Sequence, residues 1–454
     1  MDSGFGIAGH SKSVQELTTS KLDYWSPLVV ENGVKKSYTI EIRPQSIATD
    51  GPIDFHLAAD PEKFIDIASL TLHGKVGIRY KDKTGGWQTV TNLNKCGVIN
   101  NVYHSLFSCV TVKVNDCEIG DIANNSYPYT SYLQTLLGTS SSQAANHILQ
   151  QRGFIKDSPQ ELKALANPSI TKPVTSAFQQ RRKAFLSNDF LDFNIPLHND
   201  LMSVEKYLPP NTKLTFTLRR SPDDFVLWKT ETEATEYKIV LEDLHMKVKF
   251  LEVYPDVMKN HQKLLKESAG LRIKYTQNIL KTFAVPAGAV ELKQHNLFCG
   301  NRLPDRVYLA FVEQESYNGN ITKNPFNFET AGMSEASLIV NGMSEPSPPY
   351  CYEPNVNERD LYFNFLENTG TASFELDSVN VTFEDFKGGY FIVPFDRSPT
   401  KDNGLYTHKS EGGNMTINVK CRTPIQKNFM VLVFASYESA LLFIDDKVIT
   451  QALY

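Results

Sequence analysis

The chain has 454 residues, of which 41% are hydrophobic and 21% are charged, and its formal net charge at pH 7 is -5. This length exceeds what one hydrophobic core usually organises, so it predicts two or more domains. The composition excludes a disordered or collagen-like chain. The slightly negative charge excludes a protein that grips nucleic acid through bulk positive charge, so we expect no strong nucleic-acid binding.

The N-terminal sequence MDSGFGIAGHSKS has no basic start followed by an apolar run, so it predicts no secretory signal. The apolar runs are far shorter than the roughly 20 residues that a membrane helix needs. Six cysteines occur without a CxxC pair, a usage typical of reduced thiols in an intracellular product. We therefore expect a soluble protein without disulfides or a membrane span, made inside the cell and not secreted.

Apolar and polar residues alternate along much of the chain, which is the pattern of a strand with one buried face. In residues 108–116, the apolar face carries Val110, Val112 and Val114. The same alternation recurs in the segments 189–196, 212–219, 240–250 and 416–421. The sequence therefore predicts a protein built mainly from half-buried strands.

Helical patterns are few. Short helices are predicted at residues 129–137 and 144–151. The clearest helix is predicted at residues 256–266, where Pro255 precedes the first turn and Lys263 lies near the end. Many strands, few helices and no regular alternation between them indicate an all-β, antiparallel architecture.

A weak internal repeat relates the two halves of the chain at a distance of about 200 residues. Arg220-Ser221-Pro222 and Arg422-Thr423-Pro424 each follow a predicted strand and precede another. The repeat equates residues 110–114 with 338–340, 214–218 with 417–421, and 239–250 with the region that begins at Met430. The alternative is a coincidental similarity between two unrelated β-sandwiches.

Each copy of about 200 residues accommodates eight strands and long loops, which is the size of a jelly roll. The predicted division is an N-terminal arm at residues 1–29, a first jelly roll at 30–254, a linker helix at 255–267 and a second jelly roll at 268–454.

No motif predicts a catalytic, cofactor-binding or metal-binding site. HxH, HExxH and CxxC are absent, and Cys109 and Cys117 are interpreted as core or turn thiols. The segment 332–336 resembles GxSxG but precedes a strand, and a similar segment at 342–346 follows it, so both are interpreted as turns. The basic cluster Arg181-Arg182-Lys183 is interpreted as a solvated loop. A glycosidase pair of carboxylates has no sequence signature, because its spacing is three-dimensional.

Several short strings, in order from about residue 52 onward, resemble the major capsid protein of Polinton/Maverick elements and the related adintoviruses. They are PIDFHL (52–57), FIDIASLTL (64–72), YPYTSYLQTLL (127–137), IPLHND (195–200), YLPPNTKL (207–214), LFCGNRLPDRVYLAFV (297–312) and YNGNITKNPFNF (317–328). Asn414 after two glycines and Tyr437-Glu438 also fit, whereas the ending ITQALY departs from the acidic residue expected before the last tyrosine.

This resemblance implies a double jelly roll, meaning two eight-stranded antiparallel β-sandwiches in tandem with few short helices. It also implies a structural protein of the virion, not an enzyme and without cofactors. Three copies would form a pseudo-hexagonal homotrimer in an icosahedral shell, contacting neighbouring capsomers and a single-jelly-roll penton protein.

Two alternatives remain open. One is a glycan-binding or glycan-cleaving protein with two jelly rolls, which glycan binding would support and uniform trimers or particles would not. The other is a minor capsid protein of the same virus, which the duplication argues against because such proteins usually carry a single jelly roll.

Overall fold

The computed structural model describes residues 33–45, 51–91, 96–120, 126–144, 147–163, 176–229, 235–268, 270–369, 379–398, 411–444 and 447–452. We call residues 33–253 the first half of the chain and residues 271–452 the second half.

The strands of the first half are β1 (Val34–Ile42), β2 (Ile53–Leu57), β3 (Lys63–Lys81), β4 (Trp87–Thr89), β5 (Cys96–Val98), β6 (Phe107–Val114), β7 (Cys117–Ile119), β8 (Leu191–Pro196), β9 (Leu214–Arg220), β10 (Leu227–Lys229) and β11 (Tyr237–Val253). Those of the second half are β12 (Leu271–Val285), β13 (Glu291–Gly300), β14 (Arg306–Glu313), β15 (Met333–Val340), β16 (Met343–Cys351), β17 (Ile392–Asp396), β18 (Gly413–Cys421), β19 (Phe429–Ile444) and β20 (Lys447–Ala452).

The first half forms two antiparallel four-stranded sheets with extra edge strands. One sheet has the order β1-β11-β3-β8, with β4 pairing farther along β3, and the other has the order β2-β9-β6-β7. Two short strands, β5 and β10, pair separately. Leu72 and Met246 of one sheet and Phe55 and Phe216 of the other are fully buried, as residues on the inner faces of a two-sheet sandwich are.

The second half repeats this arrangement. Its sheets have the orders β12-β19-β14-β17 and β13-β18-β15-β16, and β20 adds to β19. The equivalences predicted from the sequence repeat hold in this topology, because β6 and β15, β9 and β18, and β11 and β19 take the same positions in their sheets. Both halves are therefore antiparallel jelly rolls.

The apolar faces follow the predicted alternation. In β9, Leu214, Phe216 and Leu218 are buried while the intervening residues are partly exposed. In β18, Ile417 and Val419 are likewise buried. A one-residue slip in pairing would turn such a row toward solvent, so the buried face fixes the register.

The helices lie in the connections between strands. They are α1 (Val102–Ser105), α2 (Ser126–Gly138), α3 (Ser141–Ala144), α4 (His147–Gln151), α5 (Pro159–Lys163), α6 (Ala177–Ser187), α7 (Asp223–Val226), α8 (Pro255–Glu267), α9 (Gln314–Tyr317), α10 (Glu358–Asn368) and α11 (Phe383–Gly388), with a 3-10 turn at Asp200–Ser203. Within the described ranges, no helix has the length and apolar character needed to cross a membrane.

Two of the three predicted helices are present, as α2 and α8. The third, at 144–151, is divided: Ala144 ends α3, residues 147–151 form α4, and residues 145–146 lie outside the described residues.

Candidate assembly surfaces and the contact between the two halves

The residues of the sequence motifs that resemble catalytic or metal-binding motifs lie in strands and in the turns beside them. No group of three or more His, Cys, Asp or Glu side chains among the described residues is placed to hold a metal ion. Cys109 is buried in β6 and Cys117 is partly buried in β7, and neither forms a disulfide. Ser334 lies in β15 and donates its hydroxyl to the carbonyl of Lys420 at 3.1 Å. Gly342, with φ of 89°, lies in the turn between β15 and β16, as predicted. The prediction that the rest of the segments 332–336 and 342–346 forms turns is wrong, because these residues belong to β15 and β16.

An aromatic cluster joins the two halves. Helix α2 contributes Tyr129 and Tyr132, both fully buried. Tyr132 stacks on Phe326 of the second half, with ring centroids 4.0 Å apart and planes 3° from parallel. Tyr129 stacks on Tyr317 with centroids 5.4 Å apart. These rings come from the segments 127–137 and 317–328, so two of the strings that carry the family resemblance meet at this contact.

A buried ion pair lies beside the aromatic cluster. Arg181 Nη2 and Asp157 Oδ1 are 2.6 Å apart, and their side chains are 2% and 0% exposed. Arg181 also donates to the carbonyls of Val98 at 3.3 Å and Ile155 at 2.7 Å. Burial raises the pKa of Asp157, and the guanidinium of Arg181 opposes that shift by favouring the carboxylate.

The interpretation of Arg181-Arg182-Lys183 as a solvated loop is wrong. All three residues lie in helix α6, where Arg181 and Arg182 are buried and only Lys183 is exposed. The physical reason is that Asp157 neutralises Arg181, which permits a charge in the interior. No local sequence pattern marks Asp157 as the partner, because it lies 24 positions before Arg181 and outside helix α6.

Residues of the second half contact the acidic member of this ion pair, Asp157. Tyr390 donates its hydroxyl to the carbonyl of Asp157 at 2.7 Å, and Asn324 Nδ2 lies 3.5 Å from Asp157 Oδ2. Lys156, which precedes Asp157 in the sequence, forms an ion pair with Asp385. Asp385 also forms a capping box with Thr382 at the start of α11. One short segment of the first half therefore bonds to several elements of the second half.

The same contact requires close backbone packing at the end of α11. A Cβ atom added to Gly388 would lie 2.3 Å from Cβ of Pro159, in helix α5 of the first half. By contrast, a Cβ atom added to Gly138, at the end of α2, would meet nothing within 4 Å. Glycine at position 388 is therefore needed for the two halves to approach this closely.

A buried histidine, His104, and a partly buried one, His198, lie next to each other in the first half. The rings of His104 and His198 meet edge to face with centroids 4.7 Å apart. Nδ1 of His104 lies 3.0 Å from the hydroxyl of Tyr127, and Nδ1 of His198 lies 2.9 Å from Oε1 of Gln134. Burial lowers the pKa of His104 well below its usual range and lowers that of His198 to about 4. Both imidazoles are therefore neutral at pH 7.

One apolar groove opens on the outside of the molecule, along helix α8. It has a volume of about 710 Å³, and its wall opposite the helix includes Phe64, Tyr207 and Leu271. Leu264 of the helix is 60% exposed and Leu265 is 38% exposed. Such an open apolar face is unusual for a helix, because a helix normally buries its apolar stripe against a neighbour.

Sequence comparison finds a relative of this chain but no family. No protein-family model matches the chain. It is 20% identical over 397 residues to Uncharacterized protein F54H12.2 of Caenorhabditis elegans, an alignment that covers 85% of this chain and 90% of that protein.

Three solved structures resemble nearly the whole chain. A chain in the structure of the Sputnik virophage has a TM-score of 0.63 at 13% identity, covering 95% of this chain and 91% of that one. The Faustovirus major capsid protein has a TM-score of 0.52 at 10% identity, with coverage of 96% and 98%. The mavirus major capsid protein has a TM-score of 0.50 at 12% identity, with coverage of 95% and 93%. Together with the strand order, these likenesses identify the fold of this chain as an all-β double jelly roll.

Proposed function

We propose that this chain is a major capsid protein that forms hexon-like capsomers of an icosahedral viral or virus-like shell. The observation that carries the proposal is the match of the whole double jelly roll, not of one half, to the major capsid proteins of Faustovirus and mavirus. On this proposal the protein acts through its surfaces, as a component of the virion, and not as an enzyme.

The contact between the halves supports such a role. A shell subunit must hold its two jelly rolls in one fixed orientation, since any rotation between them would spoil the fit to neighbouring subunits. Stacked rings and a buried ion pair provide this rigidity, because interiors packed in this way have few alternative arrangements.

We further propose that the capsomer is a homotrimer. Three copies of a two-jelly-roll chain place six similar sandwiches around one axis, and closed rotational symmetry lets each copy supply both sides of every contact. The short strings quoted above support a Polinton/Maverick or adintovirus-type affiliation, with neighbouring capsomers and a single-jelly-roll penton protein as partners.

The proposed domain division keeps the predicted bounds: arm at 1–29, first jelly roll at 30–254, linker helix at 255–267 and second jelly roll at 268–454. It is supported by the strand pairing, because every pairing between the named strands of the described ranges stays within one half.

Size-exclusion chromatography with light scattering, followed by negative-stain microscopy, tests the function. The chain mass is 51.2 kDa, so a trimer has a mass of 3 × 51.2 = 153.6 kDa. We expect trimers of that mass or shell-like particles of uniform size. A monomer of 51.2 kDa at every concentration, or a monomer that binds or cleaves a glycan, would contradict the proposal.

A further inference from the structure

Helix α8 buries little of its surface against the rest of the molecule. Among its residues whose burial is described, none is buried, and only Val257 and Met258 are partly buried. Its ring contact with the body of the protein joins His261 to Phe64, edge to face at 5.6 Å. A helix of 13 residues is marginal in water without tertiary contacts, so its open apolar face needs a partner.

We propose that the N-terminal part of the same chain covers this groove, with residues 22–30 as the docking segment. Here the arm means residues 1–32, which comprise the predicted arm at 1–29 and the three residues before Gly33. The arm joins the described chain at Gly33, whose carbonyl accepts a hydrogen bond from the backbone N–H of Tyr254 at 3.2 Å. Tyr254 immediately precedes Pro255, the first residue of α8. The arm therefore begins at one end of the groove that it is proposed to fill.

The length of the arm matches the length of the groove. The 13 residues of α8 span about 20 Å at a rise of 1.5 Å per residue. Eight extended residues, the separation between Trp25 and Gly33, reach about 26 Å. A segment at 22–30 is therefore long enough to reach along the helix, and its short connection to Gly33 would give it a high effective concentration there.

The chemistry of the segment fits the groove. Residues 22–30 read LDYWSPLVV, in which two aromatic and four aliphatic side chains supply apolar surface. The groove is lined by Lys206, His261 and Arg272 but by no acidic side chain. Residues 22–30 carry one acidic residue, Asp23, and no basic residue, so their charge complements the basic lining of the groove.

Hydrogen exchange on the full-length chain tests the proposal. The variant Trp25→Ser/Leu28→Ser removes two docking side chains, and the matched control Phe5→Ser/Ile7→Ser makes the same kind of change in the arm outside the docking segment. We expect amides of residues 258–265 to exchange at least about tenfold faster in the docking variant, because the loss of two buried apolar side chains removes the contact that protects the helix. They should exchange at the unchanged rate in the control. Equal exchange in both variants would overturn the proposal.

A second measurement removes no apolar side chain from the arm, so its outcome does not depend on whether such variants fold. The photocrosslinker p-benzoyl-L-phenylalanine replaces Leu265, and this chain is co-expressed with a copy that lacks the crosslinker and carries Val29→Ile as a mass tag. We expect crosslinks to residues 22–30 with the untagged mass, which identify the arm of the same chain. Crosslinks to the tagged arm would show that a second copy covers the groove. Either that result or crosslinks only to other segments would overturn the proposal.

The control for this experiment places the same crosslinker at Phe363, which is 57% exposed in helix α10 of the second half. It should not capture residues 22–30. Capture there as often as at position 265 would mean that the arm has no preference for the groove, and the proposal would fail.

Discussion

Replacing Arg181 with alanine should strongly destabilise the protein, although its sequence context suggests a dispensable surface charge. The change leaves the carboxylate of Asp157 buried with a side-chain exposure of 0% and without its ionic partner. It also removes the donors to the carbonyls of Val98 and Ile155. Because Tyr390 and Asn324 contact Asp157 from the second half, the loss weakens the contact between the halves as well.

The expected cost is about 3–5 kcal/mol in the free energy of unfolding, the range for removing one partner of a buried ion pair. The unfolding midpoint in urea should fall by this cost divided by the urea dependence of the free energy of unfolding, which the same titration measures. Lys183→Ala is the matched control, because Lys183 lies in the same helix and is exposed. Its effect should stay within about 0.5 kcal/mol.

Urea unfolding followed by tryptophan fluorescence measures both variants. Since the cost comes from an unpaired buried charge, Asp157→Leu/Arg181→Met should be more stable than Arg181→Ala. If Arg181→Ala and Lys183→Ala unfolded at the same urea concentration, the buried ion pair would not stabilise the fold, and this reasoning would be refuted.

Three further predictions concern other parts of the structure. Gly388→Ala should lower stability by about 1–3 kcal/mol through overpacking against helix α5, while Gly138→Ala should not; equal thermal midpoints would contradict this. Stability should fall as the pH drops from about 6.5 toward 4, because unfolded His104 and His198 bind protons that the folded, neutral imidazoles do not. The slope approaches about 1.4 kcal/mol per pH unit for each histidine, and His198→Gln should reduce it in pH-dependent urea unfolding. Thiol titration of denatured, unreduced protein should find six free thiols, and the two exposed ones should react first in the native state; two or fewer thiols would contradict this.

Much of the fold was predictable because the alternation of apolar and polar residues within a strand indicates which of its faces is buried. The alternation of Leu214, Phe216 and Leu218 with polar residues specifies which face is buried, without knowledge of any partner strand. Helix α8 was predictable for the same reason, since Pro255 and Asp256 mark its start within a few residues. The repeat then added the equivalence of the two sheets, which requires comparison of distant segments but no coordinates.

The contacts between the halves were not predictable in this way. Arg181 belongs to a run of three basic residues, and nothing nearby in the sequence distinguishes its buried position from the exposed position of Lys183. Its burial depends on Asp157 and Tyr390, which the chain brings to it from 24 and 209 positions away. Likewise, the sequence of α8 predicts a helix with apolar residues but not that its apolar face is left open.

The sequence by itself therefore determined the class of each element and the face that each strand buries, because these depend on residues a few positions apart. Tertiary structure alone decided which charges are buried, which rings stack between the halves and which apolar face remains uncovered. These outcomes depend on where distant segments return in space, and the free energy of a charge or an apolar side chain is set by those neighbours and not by its own position along the chain.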